Sequence, residues 1–522
     1  MKADFDAIVI GSGLGGLTAG AIYAKRGKKV LVLERHDKFG GAATVYRRKN
    51  MPIEVGLHEL DGFDDLDLKQ ELWKELGLDQ QIQTVPVGSF YEVRRAGEDS
   101  GFVIPDGVKE AIQALTTRFP QHKRGIERYF QTLCAIRASL SQFSRTDKSL
   151  AWWLLNGPVF PLRFWPIIRF GWTTLGAFLD RLFGEDEQIK ITIVSNYQYY
   201  TDDPYQLSLL HFAAAQAAYH MGGGHYIHNG SQALSDALVE QIRCAGGKVE
   251  KRRNVTQVLM KEGQAIGVRH EKLPNVAKNH KPEQDVQEHY ASQIFANAAP
   301  HCIAEMLPEP YQERFMKPYQ EKRLSPSLWC LFISFNEKPA HHGVASYNTF
   351  VISDAYSTLR GVPAETGILG DLEGERLPSF TFVDYSQIDS GLNQEGRYFG
   401  VMCGLDQIEN WSALDDDRYK KSKQRWEVRL IAALDTQFPG IAESVVFKEM
   451  GTARTIQRYL NTPAGAVYGF APDAPKYVTG IPRSSTPVEG IYIASAFGGF
   501  GGGFTGAMLS GSHAATEALR KL

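Results

Sequence analysis

A glycine-rich turn near the N-terminus has the spacing of a dinucleotide-binding site. The apolar run Phe5–Ile10 predicts a buried parallel strand that leads directly into GSGLGG (residues 11–16) and a helix. In such a turn Gly11 permits the sharp bend, Gly13 lets backbone approach a pyrophosphate, and Gly16 lets the helix pack closely on the strand. The helix N-terminus adds unpaired N–H groups and the positive end of a dipole, which favour phosphate.

A carboxylate completes this unit. Residues 17–26 have helical character, Gly27 ends the helix, and residues 28–33 (KKVLVL) predict a second strand that ends at Glu34. A carboxylate at this position can accept hydrogen bonds from a ribose diol. The order of strand, turn, helix, strand and acid therefore predicts an α/β protein with a Rossmann-type domain.

The residues that follow Glu34 resemble the ER…GG…GxH stretch of the amine-oxidase and phytoene-desaturase superfamily of flavoproteins. The resemblance implies FAD as the cofactor and a glutathione-reductase-like FAD domain. It also implies that a second glycine pair passes the pyrophosphate and that the next segment runs beside the flavin ring. The cofactor-binding residues that it implies here are Arg35, Gly40, Gly41, Ala42, Gly56 and Leu57.

Two later blocks match the same superfamily in order. A helix, a Gly-Gly turn and strands around Val255 resemble the block that holds the adenine end, and Asn297 resembles the strand end at which the chain leaves the FAD domain. The C-terminal strand and GGFGGGFTG turn (residues 490–506) resemble the turn that meets the pyrimidine edge of the flavin, through Gly503, Phe504 and Thr505. Related proteins often carry Gly-Asp, whose Asp contacts the ribityl chain, where this chain has Ser-Ala.

Two stretches point to one branch of the superfamily. EVGLHELDG (residues 54–62) and GGGFTGAMLSG (residues 501–511) resemble the branch of phytoene desaturases, carotenoid cis–trans isomerases and retinol saturases. The resemblance implies a redox or isomerisation reaction at a carbon–carbon double bond of a hydrophobic polyene. A flavin amine oxidase and a non-catalytic Rab-escort-like carrier remain alternatives, because both share this architecture.

Four side chains are the candidates for catalysis. His58 and Glu59 lie in the segment that crosses the ring in related proteins, and His58 is a possible proton donor or cofactor partner. A structural histidine satisfied by backbone is the alternative for His58. Arg454 and Tyr468 lie in a stretch that leads toward the flavin in the family.

These matches divide the chain into five segments. Three of them form the FAD-binding domain, one is a helical substrate region, and one is a substrate domain containing a sheet. The sheet is expected to include strands at Ser327–Phe335 and Ser379–Val383. In chain order the segments are residues 1–70 (FAD), 71–225 (helical), 226–300 (FAD), 301–450 (sheet) and 451–522 (FAD).

The segment 150–183 is rich in aromatic residues. It holds four of the eight tryptophans, as well as Arg163 and Arg169, and no acidic residue occurs between Asp147 and Asp180. This composition favours peripheral contact with a membrane, through which a hydrophobic substrate enters. A buried helical cap or an oligomer contact is the alternative.

Composition excludes several other classes of protein. The net charge of −2 gives no field that favours nucleic acid. Five scattered cysteines without a CxxC pair argue against disulfides and a zinc site, and indicate a reducing, cytoplasmic location. Three histidines between residues 220 and 228 lack interleaved carboxylates or cysteines, so no metal is expected.

Overall fold

The strands build two large sheets and two small ones. The computed structural model describes residues 3–95, 100–145, 150–274, 285–354, 356–474 and 483–521. The strands in these ranges are β1 (Phe5–Ile10), β2 (Val30–Glu34), β3 (Val45–Arg48), β4 (Met51–Glu54), β5 (Leu60–Asp61), β6 (Thr84–Pro86), β7 (Ser89–Arg95), β8 (Phe102–Pro105), β9 (Gly224–Ile227), β10 (Lys248–Lys251), β11 (Arg253–Lys261), β12 (Gln264–Lys272), β13 (Val286–Ala296), β14 (Ser327–Phe335), β15 (Asn348–Ile352), β16 (Phe380–Asp384), β17 (Tyr398–Asp406), β18 (Val445–Gly451) and β19 (Ile491–Ile493).

The α-helices cover the faces of these sheets. In the same ranges they are α1 (Leu14–Lys25), α2 (Leu68–Leu76), α3 (Val108–Arg118), α4 (Lys123–Ser144), α5 (Leu150–Asn156), α6 (Phe160–Arg163), α7 (Trp165–Phe170), α8 (Leu175–Phe183), α9 (Glu187–Ile193), α10 (Leu209–Gly222), α11 (Ser231–Cys244), α12 (Pro300–Glu305), α13 (Tyr311–Met316), α14 (Glu409–Ser412), α15 (Asp416–Gln437), α16 (Ala453–Leu460) and α17 (Gly503–Leu519).

The first large sheet is the Rossmann-type sheet that the sequence predicts. Its parallel strands run in the order β10-β2-β1-β13-β19, and β12 and β11 extend it from β13 as an antiparallel pair. The strands come from three distant parts of the chain. Strands β1, β2 and β19 are apolar and buried almost throughout, as parallel strands covered on both faces require, whereas β10 is partly exposed.

Helix α1 packs closely against α11 and the C-terminal helix α17. Small residues make this approach possible, and α1 is buried along almost its whole length. A Cβ atom at Gly511 would lie 2.0 Å from the carbonyl oxygen of Gly15, and one at Gly15 would lie 2.3 Å from that of Ala494. Glycine is therefore required at both positions, and the C-terminal segment is held against the first turn of α1.

The second large sheet forms the other half of the molecule, in the order β18-β14-β17-β16-β15-β7-β8. Helices α14 and α15 pack on one face, where Trp329 and Leu331 of β14 meet Trp426. The other face looks toward the first sheet. Strand β14 has the bounds that the sequence predicts, and β16 is displaced by one residue at each end of its predicted range.

Two strands of this sheet differ from the sequence expectation. Strands β7 and β8 come from the segment 71–225, in which the sequence indicates mostly helices, and β7 pairs in parallel with β15. The run SFYEVRR in β7 is rich in aromatic and β-branched residues with a buried centre, which suits a strand. The second sheet is thus assembled from both sides of the segment boundary at residue 225.

Candidate functional site

The glycine turn lies where the first strand meets helix α1. Gly11 has a φ of +89°, and a Cβ atom there would lie 2.8 Å from the carbonyl oxygen of Asn297. A Cβ atom on Gly13 would lie 2.6 Å from the side-chain nitrogen of Asn297, and one on Gly16 would lie 2.5 Å from the carbonyl oxygen of Gly11. The structure therefore brings Gly11, Gly13, Gly16 and Asn297 together at the N-terminus of α1.

Glu34 is buried beside this turn. Its Oε2 accepts hydrogen bonds from the backbone N–H of Ser12 (2.8 Å) and from the Ser12 hydroxyl (2.5 Å). Its Oε1 accepts a hydrogen bond from the backbone N–H of His36 at 2.8 Å. The carboxylate is thus fixed by the same turn that presents the N-terminus of α1.

A second glycine turn lies on the first one. The N–H of Gly40 donates to the carbonyl oxygen of Ser12 at 3.0 Å, and Gly13 and Gly40 form a parallel bridge. A Cβ atom on Gly41 would lie 3.3 Å from the Cα atom of Gly13. Ala42 follows directly and remains partly exposed. Two glycine backbones therefore converge where helix α1 begins.

The space in front of the two glycine turns (residues 11–13 and 40–41) is called the crevice below. Val255 and Arg35 lie near Glu34, at one end of it. Val255 is buried in a cluster with Leu33, and its strand approaches β2 because the N–H of Arg252 donates to the carbonyl oxygen of His36 at 3.0 Å. The Arg35 guanidinium donates instead to the carbonyl oxygen of Arg458, at 3.4 Å. Arg35 thus reaches the end of α16 rather than the glycine turn.

The C-terminal turn borders the opposite end of the crevice. The hydroxyl of Thr505 donates to Oδ1 of Asp61 at 2.6 Å. Gly503 has a φ of +74°, and a Cβ atom there would meet open space, while Phe504 is partly buried beside it. Ser495, at the position of the family's Gly, donates to the carbonyl oxygen of Ala298 at 3.3 Å.

A buried carboxylate fixes the segment that carries the catalytic candidates. Oε1 of Glu54 accepts hydrogen bonds from the N–H groups of Gly56 (3.3 Å) and Leu57 (3.2 Å), and its Oε2 accepts one from Ser231 (2.8 Å). The carbonyl oxygen of Leu57 accepts a hydrogen bond from the Tyr385 hydroxyl at 3.0 Å. The backbone before His58 is therefore held from both sides.

His58 meets three side chains from other elements. Its Nδ1 lies 3.0 Å from the Tyr199 hydroxyl and 3.9 Å from Sγ of Cys403, and its carbonyl oxygen accepts a hydrogen bond from Tyr347. Burial lowers the pKa of His58 to about 4. The imidazole is therefore neutral near pH 7, so that one ring nitrogen can accept a proton.

The Glu59 carboxyl has a pKa shifted in the opposite direction to that of His58. Burial, together with the nearby charges of Asp106 and Asp61, raises the pKa of its carboxyl well above the usual range. Its Oε2 is buried and has no hydrogen-bond partner among the described residues. Burial also raises the pKa of Asp106, to about 6. The environment therefore favours a protonated Glu59, which can donate a hydrogen bond.

Tyr468 lies at this site and Arg454 lies elsewhere. The N–H of Tyr468 donates to Oγ of Ser325 at 2.9 Å, and a Cβ atom on Gly502 would lie 2.5 Å from the carbonyl oxygen of Tyr468. The Arg454 guanidinium donates to Asp416 at 2.7 Å and stacks over Tyr419. Tyr468 thus borders the C-terminal turn, whereas Arg454 pairs with the start of α15.

Several residues of this site were not predicted from the sequence. Cys403 lies in β17 of the second sheet, Tyr347 directly precedes β15 and Tyr385 directly follows β16, and all three reach the segment 57–58. Their spacing in the chain carries no signal, because only the pairing of these strands brings them together. A sheet register, had it been known, would have grouped them.

The histidines between residues 220 and 228 face different surroundings. His220 packs edge-on against Phe90 and Phe130, and His228 lies 3.0 Å from the carbonyl oxygen of Asp389. Across the described ranges, no three histidine, cysteine or acidic side chains are grouped as metal ligands would be. Within the described ranges of the chain, no helix combines the length and the apolar character that a membrane span needs.

Comparison with known proteins gives similarity along the whole chain. The model of an NAD(P)-binding Rossmann-like domain family matches residues 9–76. The chain is 26% identical to a chloroplastic prolycopene isomerase of Arabidopsis thaliana, over 99% of this chain and 84% of that protein. It is 25% identical to the all-trans-retinol 13,14-reductase of Homo sapiens, over 94% of this chain and 81% of that protein.

Solved structures share the fold. An oxidoreductase from Methanosarcina mazei is similar with a TM-score of 0.64 and 16% identity, over 98% of this chain and 99% of that one. A putrescine oxidase bound to putrescine is similar with a TM-score of 0.61 and 14% identity, over 99% of this chain and 98% of that one. The chain is thus similar along its length to prolycopene isomerases and retinol 13,14-reductases, and it shares the fold of these solved structures.

Proposed function

We propose that this protein is an FAD-dependent oxidoreductase that acts on carbon–carbon double bonds of a hydrophobic polyene. The substrate class is a carotenoid or retinoid, and the reaction is a desaturation, a saturation or a cis–trans isomerisation. The observation that carries the proposal is the similarity over 94% or more of the chain to enzymes named for isomerising prolycopene and for reducing retinol. These chemistries share a flavin held beside a long apolar substrate.

The crevice suits FAD at its phosphate and ribose end. Gly13 and Gly41 present backbone where side chains would block a pyrophosphate, and the N-terminus of α1 points at that space. Glu34 lies where it can accept from a ribose diol, and Val255 lies beside it for the adenine. This donor and acceptor set supports an adenine dinucleotide.

The other end of the crevice suits the flavin ring. When bound, a flavin exchanges hydride with a substrate through its ring. Thr505 and Gly503 border this end on one side, and His58 and Glu59 border it on the other. Neutral His58 can accept a proton at a ring nitrogen and protonated Glu59 can donate one, so the two serve opposite directions of proton transfer.

Aromatic side chains enclose this end. Their rings exclude water and offer apolar faces to a polyene. The hydroxyls of Tyr347 and Tyr385 donate to the backbone of the His58 segment, and that of Tyr199 lies 3.0 Å from Nδ1 of His58. Burial raises the pKa of each of these hydroxyls, so they stay protonated. The tyrosines are Tyr199, Tyr347, Tyr385 and Tyr468.

We further propose that helices α5–α7 contact a lipid bilayer with anionic headgroups. Six of the twelve exposed large apolar side chains in the described ranges fall between residues 154 and 172, in α5–α7, between these helices or directly after α7. Arg163 and Arg169 are exposed among them, and no acidic residue lies between them and Asp180. Apolar side chains interspersed with arginine match the chemistry of such an interface. The six are Leu154, Leu155, Val159, Leu162, Trp165 and Trp172.

The substrate class is tested by incubating the purified protein anaerobically with a panel of polyenes, with oxidised and with reduced FAD. We expect products with altered double bonds. Loss of two hydrogens, gain of two or an unchanged mass with an altered retention time separates desaturation, saturation and isomerisation. Putrescine and other amines serve as the control panel, because the fold is shared with an amine oxidase. Flavin reduction by amines and not by polyenes would establish the amine oxidase alternative, and a protein without flavin would favour a carrier.

Replacing Glu34 tests the cofactor. The Glu34→Ala change removes a charged ribose acceptor, and we expect the dissociation constant for FAD to rise about 10- to 150-fold, since a charged hydrogen bond contributes about 1.5–3 kcal/mol. Flavin fluorescence on titration of the apoprotein measures it. Glu250→Ala, in the neighbouring strand β10, is the matched control. Equal affinity in the two variants would contradict the role of Glu34.

Replacing Glu59 tests its protonation without any ligand. Because its pKa is raised in the folded protein, wild-type stability from this group is present at low pH and is lost as the pH rises through the folded value. We expect Glu59→Gln, which stays neutral, to gain stability relative to wild type as the pH increases, by up to about 1.4 kcal/mol per pH unit. Urea unfolding from acid to alkaline pH measures this difference. Parallel curves for the two proteins would show that Glu59 is not held protonated.

Vesicle binding tests the lipid contact. We expect the triple variant Leu155→Ser, Leu162→Ser and Trp165→Ser to lose most of its sedimentation with vesicles of anionic phospholipid, because each exposed apolar side chain adds about 1.5–3 kcal/mol when buried. The double variant Val428→Ser and Val446→Ser removes exposed apolar groups outside α5–α7 and is the control. Equal sedimentation of triple variant and wild type would reject the contact. A change of oligomeric state in the triple variant alone would assign the surface to a second copy of the chain.

A further inference from the structure

Two cysteines face each other across neighbouring strands of the second sheet. Cys330 of β14 is directly opposite Cys403 of β17 in an antiparallel ladder whose register is continuous along both strands. They are separated by more than seventy positions in the chain and share no sequence motif. Both are free thiols in this structure.

The ladder geometry brings the two thiols within reach of a disulfide. Opposite residues of an antiparallel pair have Cα atoms about 4.5 or 5.5 Å apart, and both values lie inside the range of about 4.4–6.8 Å found in disulfides. Their Cβ atoms point to the same face at about 4.5–5.5 Å, against about 3.5–4.5 Å in a disulfide. Closing the bond therefore requires a shift of about 1 Å and no change of register.

This face of the sheet is the one that borders the candidate site. Trp329 and Leu331, the neighbours of Cys330 in β14, pack under the helices on the far face, so Cys330 points the other way. Cys330 packs beside Tyr468, and Sγ of Cys403 lies 3.9 Å from Nδ1 of His58. The two thiols thus lie on the face of the sheet that borders His58 and Tyr468.

We propose that Cys330 and Cys403 form a redox-active dithiol that exchanges two electrons with the flavin bound in this crevice. This proposal rests on the proposed function for the presence of the flavin. In the oxidation, two S–H bonds break, one S–S bond forms, and two electrons pass to the flavin. The two thiol protons leave with this step, and both end on the reduced flavin or in solvent. The reverse step reduces the disulfide.

The surroundings restrict what can oxidise the pair. Burial raises the pKa of the Cys330 thiol to about 12 and that of Cys403 well above its usual range, so both are uncharged at neutral pH. Because the thiolate is the reactive form, an uncharged buried pair reacts slowly with oxidants in bulk solvent. Nδ1 of His58 lies 3.9 Å from Sγ of Cys403, so the imidazole contacts the thiol that must lose a proton.

The other three cysteines provide matched controls. Cys244 is exposed at the end of α11 and contacts Glu240, and Cys302 contacts Asn461. Cys134 lies in α4, away from the second sheet. Serine at Cys134 or Cys244 therefore removes a thiol without touching the pair.

The first experiment treats the apoprotein with the thiol oxidant diamide, over an exposure long enough for a slowly reacting buried pair. We expect a product about 2 Da lighter, in which three of the five cysteines react with N-ethylmaleimide after denaturation. Peptide mapping should join Cys330 to Cys403, and the bond should persist in Cys134→Ser and Cys244→Ser and vanish in Cys330→Ser and Cys403→Ser. Five reactive thiols, or a bond between other cysteines, would overturn the proposal. Because this readout needs no cofactor, it is independent of whether FAD binds.

The second experiment counts electrons in the FAD-loaded protein. Anaerobic dithionite titration of the oxidised protein should consume about four electrons per flavin in wild type and about two in either pair variant. Cys244→Ser should behave as wild type. Two electrons per flavin in the disulfide form of the wild type would overturn the exchange with flavin. If the protein shows no spectrum of bound flavin, the proposed function itself is contradicted. The mass measurement of the first experiment does not depend on that result.

Discussion

The approach of two peptide backbones at Gly13 and Gly40 is the constraint on which the rest of the structure depends. A Cβ atom at either position would overlap protein atoms, and the bridge between them leaves only backbone groups at the start of α1. Helix α1 must then sit close to the sheet and to α17, which requires Gly15 and Gly511 at the helix crossing. The crevice therefore follows from backbone-to-backbone packing rather than from the shape of any side chain.

Three buried glutamates show how surroundings assign different roles to one chemical group. Glu34 and Glu54 each accept several hydrogen bonds from backbone N–H and serine groups, and burial raises the pKa of Glu54 as well. For Glu59, burial and two nearby carboxyls raise the pKa well above the usual range, and one of its oxygens has no described partner. The first two therefore organise the backbone through their hydrogen bonds, while Glu59 keeps an oxygen without such a bond.

The parts of the fold that the sequence predicts are those set by local pattern. Strand β1, the glycine turn and α1 follow from composition and spacing within about thirty residues, and the apolar run of β14 has its predicted bounds. Strands β7 and β8 join the second sheet through pairing with β15, which lies far along the chain. Arg454 lies in the stretch predicted to lead toward the flavin, but its guanidinium donates to Asp416 at the start of α15. Pairing and helix orientation depend on distant contacts, so no local pattern reports them.

The exposed helices α5–α7 and the candidate site are connected by packing, which bears on the entry of the proposed apolar substrate. Helix α7 contacts α4 and α10, and α10 carries His211 to within van der Waals reach of the C-terminal turn at Gly501. Helix α10 also has a buried apolar side formed by Leu209, Phe212 and Ala213. Helix α10 therefore lies between the proposed lipid contact and the C-terminal turn. A change in how α5–α7 pack would reach the turn through this helix, so α10 links the proposed surface contact to the candidate site.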